Sequence, residues 1–242
     1  MTNVNDYSDI EFGVDIREIR RRDGGPMRDV VRLHPHQETR MFPSWKSQCR
    51  IYTTMNLERM YVRVFEVDGF VESYRSQPLR LKFIHEGKPV EYTPDFELRI
   101  GNLWVVTEVK PKKMLKRAPA LARKLLAVKR IYRARGLPFW ILGYERLPDA
   151  DWMKSAADIE RRGRTTIDPL DEHRILEQLH HTDGVALGEC AALVRNHAAP
   201  MNAVLSLVLR SRRIEAEMNG VVDAKTIIRL QRNSSSPLLA KL

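Results

Sequence analysis

Two β-rich runs separated by two turn residues constrain this chain more than any other feature. Phe96-Glu97-Leu98-Arg99-Ile100 and Leu103-Trp104-Val105-Val106-Thr107-Glu108-Val109-Lys110 flank Gly101-Asn102. A two-residue loop of that kind predicts a tight β-hairpin. It makes Ile100 face Leu103, and counting back through the antiparallel pairs sets Asp95 opposite Glu108 with both side chains on one face. Alternation then sorts the ribbon. Phe96, Leu98, Ile100, Leu103, Val105, Thr107 and Val109 form a core face, while Asp95, Glu97, Arg99, Trp104, Val106, Glu108 and Lys110 share the other.

Opposed residues of a hairpin have Cβ atoms about 4.5–5.5 Å apart, and like charges at that distance destabilise the pair. Something must offset the repulsion between Asp95 and Glu108. A divalent cation held between the carboxylates would do so, with the oxygen ligands Mg²⁺ prefers. Lys110 lies on the same face and diagonally near both. Two carboxylates, a metal and a lysine are what metal-dependent phosphodiester hydrolysis needs: the metal polarises the phosphoryl oxygen and acidifies a bound water, and the ammonium stabilises negative charge or orients the nucleophile. The other reading is a solvent-exposed sheet face whose charges Lys110 and Glu97 offset. Glu97 shares the face but stands opposite Val106, so it reads as structural.

The segment after the hairpin is one-signed in charge. Between Lys110 and Arg135 there are eleven Lys and Arg residues and no Asp or Glu. Such a run is either a solvated face or a track for phosphates. Leu121, Leu125, Val128 and Tyr132 recur at helical spacing and predict a helix over 112–135, closed by Gly136 and Pro138. Phe139 to Leu142 reads as a buried strand.

Elsewhere the signals are plainer. Residues 1–43 read as a basic irregular arm: Arg20-Arg21-Arg22 precedes the loop signal Gly24-Gly25-Pro26 and could touch phosphate or simply be solvated. His34 and His36 lack a third metal ligand nearby and read as a solvated loop. Residues 44–66 read as a helix on the spacing of Leu57, Tyr61, Val64 and Phe65, with Glu58 beside that stripe. A strand is expected at about 78–84, a turn at Glu86-Gly87-Lys88-Pro89, and a second strand at about 90–100. Residues 149–160 suggest a helix and 161–168 a polar linker. From Pro169, helices around Ile175–Leu179, Leu187–Val194 and Met201–Leu209 precede two β-like runs around Asn219-Gly220, which is the winged-helix order. The expected domains are therefore an arm (1–43), an α/β domain (44–160), a small, mostly helical domain (169–233) and a loose tail (234–242).

Composition fits that plan and narrows the partners. Of 242 residues, 43% are hydrophobic and 30% charged, which excludes a wholly disordered chain. Lys and Arg number 41 against 31 Asp and Glu, a net charge of +10 that favours a polyanionic partner. Cys49 and Cys190 form no CxxC and no disulfide framework, so they carry no assigned chemistry and suggest a reducing compartment. His180, His181 and His197 have no accompanying metal-ligand spacing. The N-terminus lacks the apolar core of a secretory signal, and no stretch approaches the ~20 apolar residues of a membrane span. A soluble, cytoplasmic bacterial protein with no membrane partner is expected.

Longer motifs carry a resemblance. Pro94-Asp95, twelve intervening residues and Glu108-Val109-Lys110 match the PD-(D/E)xK nuclease signature. Leu57-Glu58-Arg59, Gln77-Pro78, Tyr92-Thr93-Pro94-Asp95-Phe96 and Glu108-Val109-Lys110-Pro111 stand in the order seen in the TnsA endonucleases. About residues 44–145 resemble that family, whose members are subunits of heteromeric transposases. The resemblance implies a restriction-endonuclease-like domain with a mixed sheet, followed by a winged-helix-like domain. It implies Mg²⁺-dependent nicking (or Mn²⁺ in its place) of the 5′, non-transferred strand at double-stranded transposon ends. The partners would be a TnsB-type DDE transposase and a TnsC-type AAA+ regulator. Asp95 and Glu108 match the metal carboxylates, Lys110 the catalytic lysine, the Val109 carbonyl a further metal ligand, and Glu58 a helical glutamate reaching the same site. A stand-alone restriction or repair nuclease with the same signature, or a non-catalytic DNA-binding protein with a vestigial core, would share these residues.

Overall fold

The computed structural model describes residues 7–11, 15–27, 40–210, 213–231 and 236–239. His34 and His36, and parts of the 234–242 tail, lie outside them. The chain divides into two compact units, one formed by Met1–Arg59 and Ser73–Glu145, the other by Met60–Glu72 and Arg146–Leu242. Among the described residues no helix is long and apolar enough to cross a membrane.

The first unit is mixed α/β. Strands β1 (Tyr7–Glu11), β2 (Arg17–Arg21), β6 (Arg80–His85) and β7 (Lys88–Tyr92) form an antiparallel sheet in the order β1-β2-β6-β7. Part of the expected irregular arm is thus ordered strand. Its pairing partner β6 lies some sixty residues away in sequence, beyond the reach of a local pattern. Glu86 and Gly87 both take positive φ (50° and 73°) and close the β6–β7 hairpin, as a primed turn requires. A second hairpin pairs β3 (Arg40–Ser44) with β4 (Cys49–Thr53). Helix α1 therefore runs only over Asn56–Val67, not from 44. The alternation of Arg50, Ile51, Tyr52 and Thr53 belongs to a strand, with Ile51 and Thr53 buried.

The other sheet is mixed, with Phe139–Leu142, Leu103–Val109, Phe96–Ile100 and Val71–Ser76 side by side in that order. It contains β5 (Val71–Ser76), which the sequence reading did not anticipate, β8 (Phe96–Ile100), β9 (Leu103–Val109) and β10 (Phe139–Leu142). The β8–β9 register runs from Ile100↔Leu103 to Phe96↔Thr107, as the Gly101-Asn102 loop dictates. Gly101 has φ 57°, the first central position of a two-residue turn that favours glycine. The expected single strand over 90–100 is split. Thr93-Pro94-Asp95 separates β7 from β8, and the two lie in different sheets. Pro94 cannot donate to a ladder.

Strand β10 runs parallel to β9, with Phe139↔Val106 and Leu142↔Val109, so the basic segment between them is the crossover. It comprises two helices, α2 (Lys112–Arg117) and α3 (Pro119–Ala134). Pro119 starts α3, and Ala118 before it is extended (φ −125°, ψ 75°), as a residue preceding proline prefers. Leu125, Val128 and Tyr132 of α3 are buried with Leu79, Leu81, Phe83 and Tyr92 of the antiparallel part and Val106 and Phe139 of the mixed sheet. Each such side chain contributes about 1.5–3 kcal/mol on removal from water. This layer covers the hairpin face that alternation marked as polar, so Glu97, Val106 and Glu108 are as buried as Phe96 and Leu98. The solvent-exposed reading of that face is corrected for Glu97, Val106 and Glu108; Arg99 and Trp104, beside the Gly101-Asn102 turn, stay exposed.

The second unit holds α4 (Ala150–Arg162), α5 (Pro169–His180), β11 (Val185–Ala186), α6 (Leu187–Ala192), α7 (Pro200–Arg210), β12 (Ile214–Ala216) and β13 (Ile227–Leu230). Asp149 and Asp168 cap α4 and α5 by accepting from the Trp152 and Leu170 N–H groups, both at 2.8 Å. The strands form an antiparallel sheet in the order β11-β13-β12. Asn219-Gly220 does not close a tight hairpin; ten residues separate Ala216 from Ile227, and the Gly220 N–H donates to Ser155 Oγ at 2.8 Å. Ile175, Leu179, Leu187, Val204, Leu205 and Ile228 are among its core residues.

Candidate active site

The break at Thr93-Pro94 delivers Asp95 to the start of β8, directly beside the end of β9. Asp95 Oδ2 accepts the Val109 N–H at 2.8 Å and meets the Lys110 ammonium at 3.2 Å. The Asp95 backbone carbonyl accepts the Gln77 N–H at 2.8 Å, and Gln77 reaches it from a left-handed conformation (φ 49°). The Gln77-Pro78 step therefore anchors the loop carrying Asp95 as well as starting a strand.

Glu108 comes from the buried middle of the sheet. Its Oε1 lies 2.9 Å from Lys110 Nζ, and its Oε2 accepts the Tyr92 hydroxyl at 2.6 Å. Lys110 Nζ also donates to the Val109 carbonyl at 3.2 Å. Three hard oxygens, Asp95 Oδ2, Glu108 Oε1 and Val109 O, thus converge on one cationic group. Among the described residues no group of three or more His, Cys, Asp or Glu is arranged as a metal cage.

The electrostatics follow from this crowding. Burial pushes the Glu108 carboxyl up to about 7, and Asp95 adds to the rise against the opposing pull of Lys110 and Tyr92. Burial disfavours the Lys110 charge, yet Asp95 and Glu108 outweigh it and hold the ammonium well above its ordinary range. Burial and the charge of Glu108 also raise Tyr92. Buried carboxylates shifted by burial and a specific charged neighbour recur at functional sites.

Glu58 is buried, at 8% exposure, in the first turn of α1. Its Oε2 accepts the Thr54 N–H at 2.9 Å and the Met55 N–H at 3.3 Å, the local pattern of a glutamate closing a helix start. Burial and the Asp95 charge raise its carboxyl, while Thr54, Met55 and Lys110 oppose. It thus shares the electrostatic field of Asp95 and Lys110, with its own hydrogen bonds directed to the preceding turn.

Glu97 takes no part. Arg20 grips it with two bonds, 2.8 and 2.7 Å, and also binds Glu18 at 2.6 Å. Glu18 in turn takes Arg135 at 2.5 Å. Arg20 of the arginine run, and Arg135 at the end of the basic segment, are accordingly structural. Within that segment Arg123 pairs with Glu86 at 2.8 Å and Lys124 lies over the Tyr92 ring, 5.8 Å from its centroid. Lys112, Lys113, Lys116, Arg117, Lys129, Arg130 and Arg133 are exposed.

Tyr92 is the residue the sequence reading missed. Its place just before Thr93-Pro94-Asp95 was the available signal, since a tyrosine buried beside acidic positions needs a partner for its hydroxyl. Cys190 and His197 are engaged in the fold of the second unit. Burial pushes the Cys190 thiol up to about 11, with Glu189 adding. His197 accepts the Ala199 N–H at 3.0 Å and lies 2.9 Å from Thr165 Oγ1.

Among protein families, residues 68–143 match the TnsA-like endonuclease N-terminal domain. The matched stretch contains β5 to β10, with Asp95, Glu108 and Lys110, and begins after Glu58. Comparison with curated proteins gives no match.

Proposed function

We propose, from the match of residues 68–143 to the TnsA-like endonuclease N-terminal domain, that the chain is a Mg²⁺-dependent DNA endonuclease subunit of a heteromeric transposase, nicking the 5′ strand at transposon ends. The observation that carries the reading is the convergence of Asp95 Oδ2, Glu108 Oε1 and Val109 O on the Lys110 ammonium at 2.9–3.2 Å. Oxygens that gather around one positive group suit a hard divalent cation.

Asp95, Glu108 and the Val109 carbonyl would hold Mg²⁺, with Glu58 joining from α1. Bound there, the metal supplies Lewis-acid polarisation of the phosphoryl oxygen and a lowered pKa for an attacking water. The protein's own groups do the positioning. Val109 N–H fixes Asp95, and Tyr92 fixes Glu108 with Oε1 turned to the site. Lys110, protonated at all physiological pH, presents its ammonium to charge developing on the phosphate. The exposed cations of α2 and α3 offer a path for the DNA backbone.

On this reading the first unit is a restriction-endonuclease-like domain. From α5 onward the second unit runs helix–strand–helix–helix–strand–strand, an order that suits a winged helix. A TnsB-type DDE transposase and a TnsC-type AAA+ regulator are the proposed partners. The test is nicking of end-labelled transposon-end duplex with Mg²⁺ and the cognate transposase. Wild type should nick the 5′ strand and Asp95→Ala should not. Equal nicking by Asp95→Ala would defeat the proposal. Robust cutting by the isolated chain without any partner would instead favour a stand-alone nuclease.

A further inference from the structure

The turn that leads into α1 also borders a cavity of about 380 Å³, lined by Arg40, Thr53, Thr54, Met55, Asn56 and Arg59. Arg40 stands directly opposite Thr53 in the β3–β4 ladder, so the two side chains leave the hairpin on one face. Arg59 lies one turn after Asn56 and donates to its Oδ1 at 2.7 Å, which holds the guanidinium at the head of the helix. Two guanidinium groups and two threonines line this cavity, with no carboxylate among its described lining residues.

That balance separates it from two other cavities among the described residues. The one bordered by Arg63, Lys154 and Arg161 also carries Asp158 and Glu160, and both acids are engaged: Arg63 pairs with Glu160 at 2.9 Å and Arg161 with Asp158. The cavity beside Asp68 and Gly69 has Glu215 and Glu217 in its wall. Nor does the head of the helix itself supply the attraction, since the Thr54 and Met55 N–H groups are taken by Glu58. The arginine side chains are what an anion would meet. A guanidinium matches a phosphate in charge and in its forked donor geometry. Glu58 sits in the same turn, between Asn56 and Arg59, so an anion held here lies next to the candidate acid.

We propose that this cavity binds a DNA backbone phosphate flanking the one that is cleaved, with Arg40 and Arg59 as its ligands. The inference rests on the nuclease reading above and adds a site that fixes the register of the strand.

The experiment is a salt titration of binding to a short fluorescein-labelled duplex, followed by anisotropy, for the full chain and its Arg40→Gln/Arg59→Gln variant. Each lost phosphate contact lowers the slope of log K against log salt by about 0.9. The double variant should lose about one such increment and bind about tenfold more weakly at low salt. Arg40→Lys/Arg59→Lys, which keeps the charge, should retain the slope. If the double variant fails to fold, the two single Gln variants are read the same way. An unchanged slope in the Gln variant, with salt-sensitive binding by wild type, overturns the phosphate site and leaves the nuclease reading standing. Absence of salt-sensitive duplex binding by wild type overturns both. Thermal stabilisation of wild type by inorganic phosphate that the Gln variant loses, without any change in DNA slope, assigns the cavity to a free anion and overturns the DNA assignment.

Discussion

The Tyr92 hydroxyl donates to Glu108 Oε2 at 2.6 Å in the interior of the first unit. One oxygen of that carboxylate is thereby committed to the protein, and the other is left to Lys110. Tyr92→Phe removes the donor from a buried anion, at a cost of about 1–3 kcal/mol when Glu108 is ionised. Urea unfolding at pH 8 should show that loss. At pH 5, where Glu108 is protonated, the loss should be smaller.

Glu108 also predicts how stability responds to pH. Its carboxyl stands at about 7 in the folded chain against an ordinary 4.5. The native state thus holds the proton more tightly than the unfolded chain. Its contribution to stability is complete below the ordinary value and is lost as pH rises through about 7. Wild type should lose stability over that window, and Glu108→Gln should flatten the loss. Saturating Mg²⁺ should offset it in wild type by stabilising the ionised form. Urea midpoints over a pH series, with and without Mg²⁺, measure all three.

Lys110 stands between Asp95 and Glu108, and Lys110→Met leaves two carboxylates facing each other without that ammonium. Breaking such a buried arrangement is strongly destabilising. The melting temperature should fall by several degrees at pH 8 and recover with Mg²⁺ more than wild type gains. Nicking should drop at least about a hundredfold, the scale set by removing one group that stabilises transition-state charge.

Glu97 provides the contrast. Its partner Arg20 is partly exposed and binds it through two hydrogen bonds. Glu97→Gln should cost about 2–3 kcal/mol of stability. Nicking by the folded fraction should be unchanged. Denaturation and activity measured on one preparation separate the two effects.

The β8–β9 ribbon was legible because a two-residue loop fixes register, and register fixes which residues meet. A helix was legible at 149–160 and another around Ile175–Leu179; the structure has them at Ala150–Arg162 and Pro169–His180. What escaped was non-local. Strand β2 pairs with β6, far along the chain. Glu97 and Glu108 look like solvent positions by alternation, yet the layer of α3 covers them, with Arg20 and Lys110 as their charged partners. The 90–100 run keeps its strand character on both sides of Pro94, so only the change of sheet reveals the break that carries Asp95. Glu58 gave no local sign of its surroundings; the resemblance named it, and the structure sets it in the field of Asp95 and Lys110. Tyr92 left only its place before Thr93-Pro94-Asp95 as a signal, because a hydroxyl's partner sixteen residues away leaves no periodic trace.

The central claim is that Asp95, Glu108 and the Val109 carbonyl form a cation site guarded by Lys110. Crystals of the full chain soaked in Mn²⁺ and measured at the manganese absorption edge test it most directly. The account predicts an anomalous peak about 2.0–2.3 Å from an oxygen of each of the three residues, with the lysine ammonium moved off that point. Ammonium still seated between the two carboxylates at saturating Mn²⁺, with no peak beside them, would contradict it.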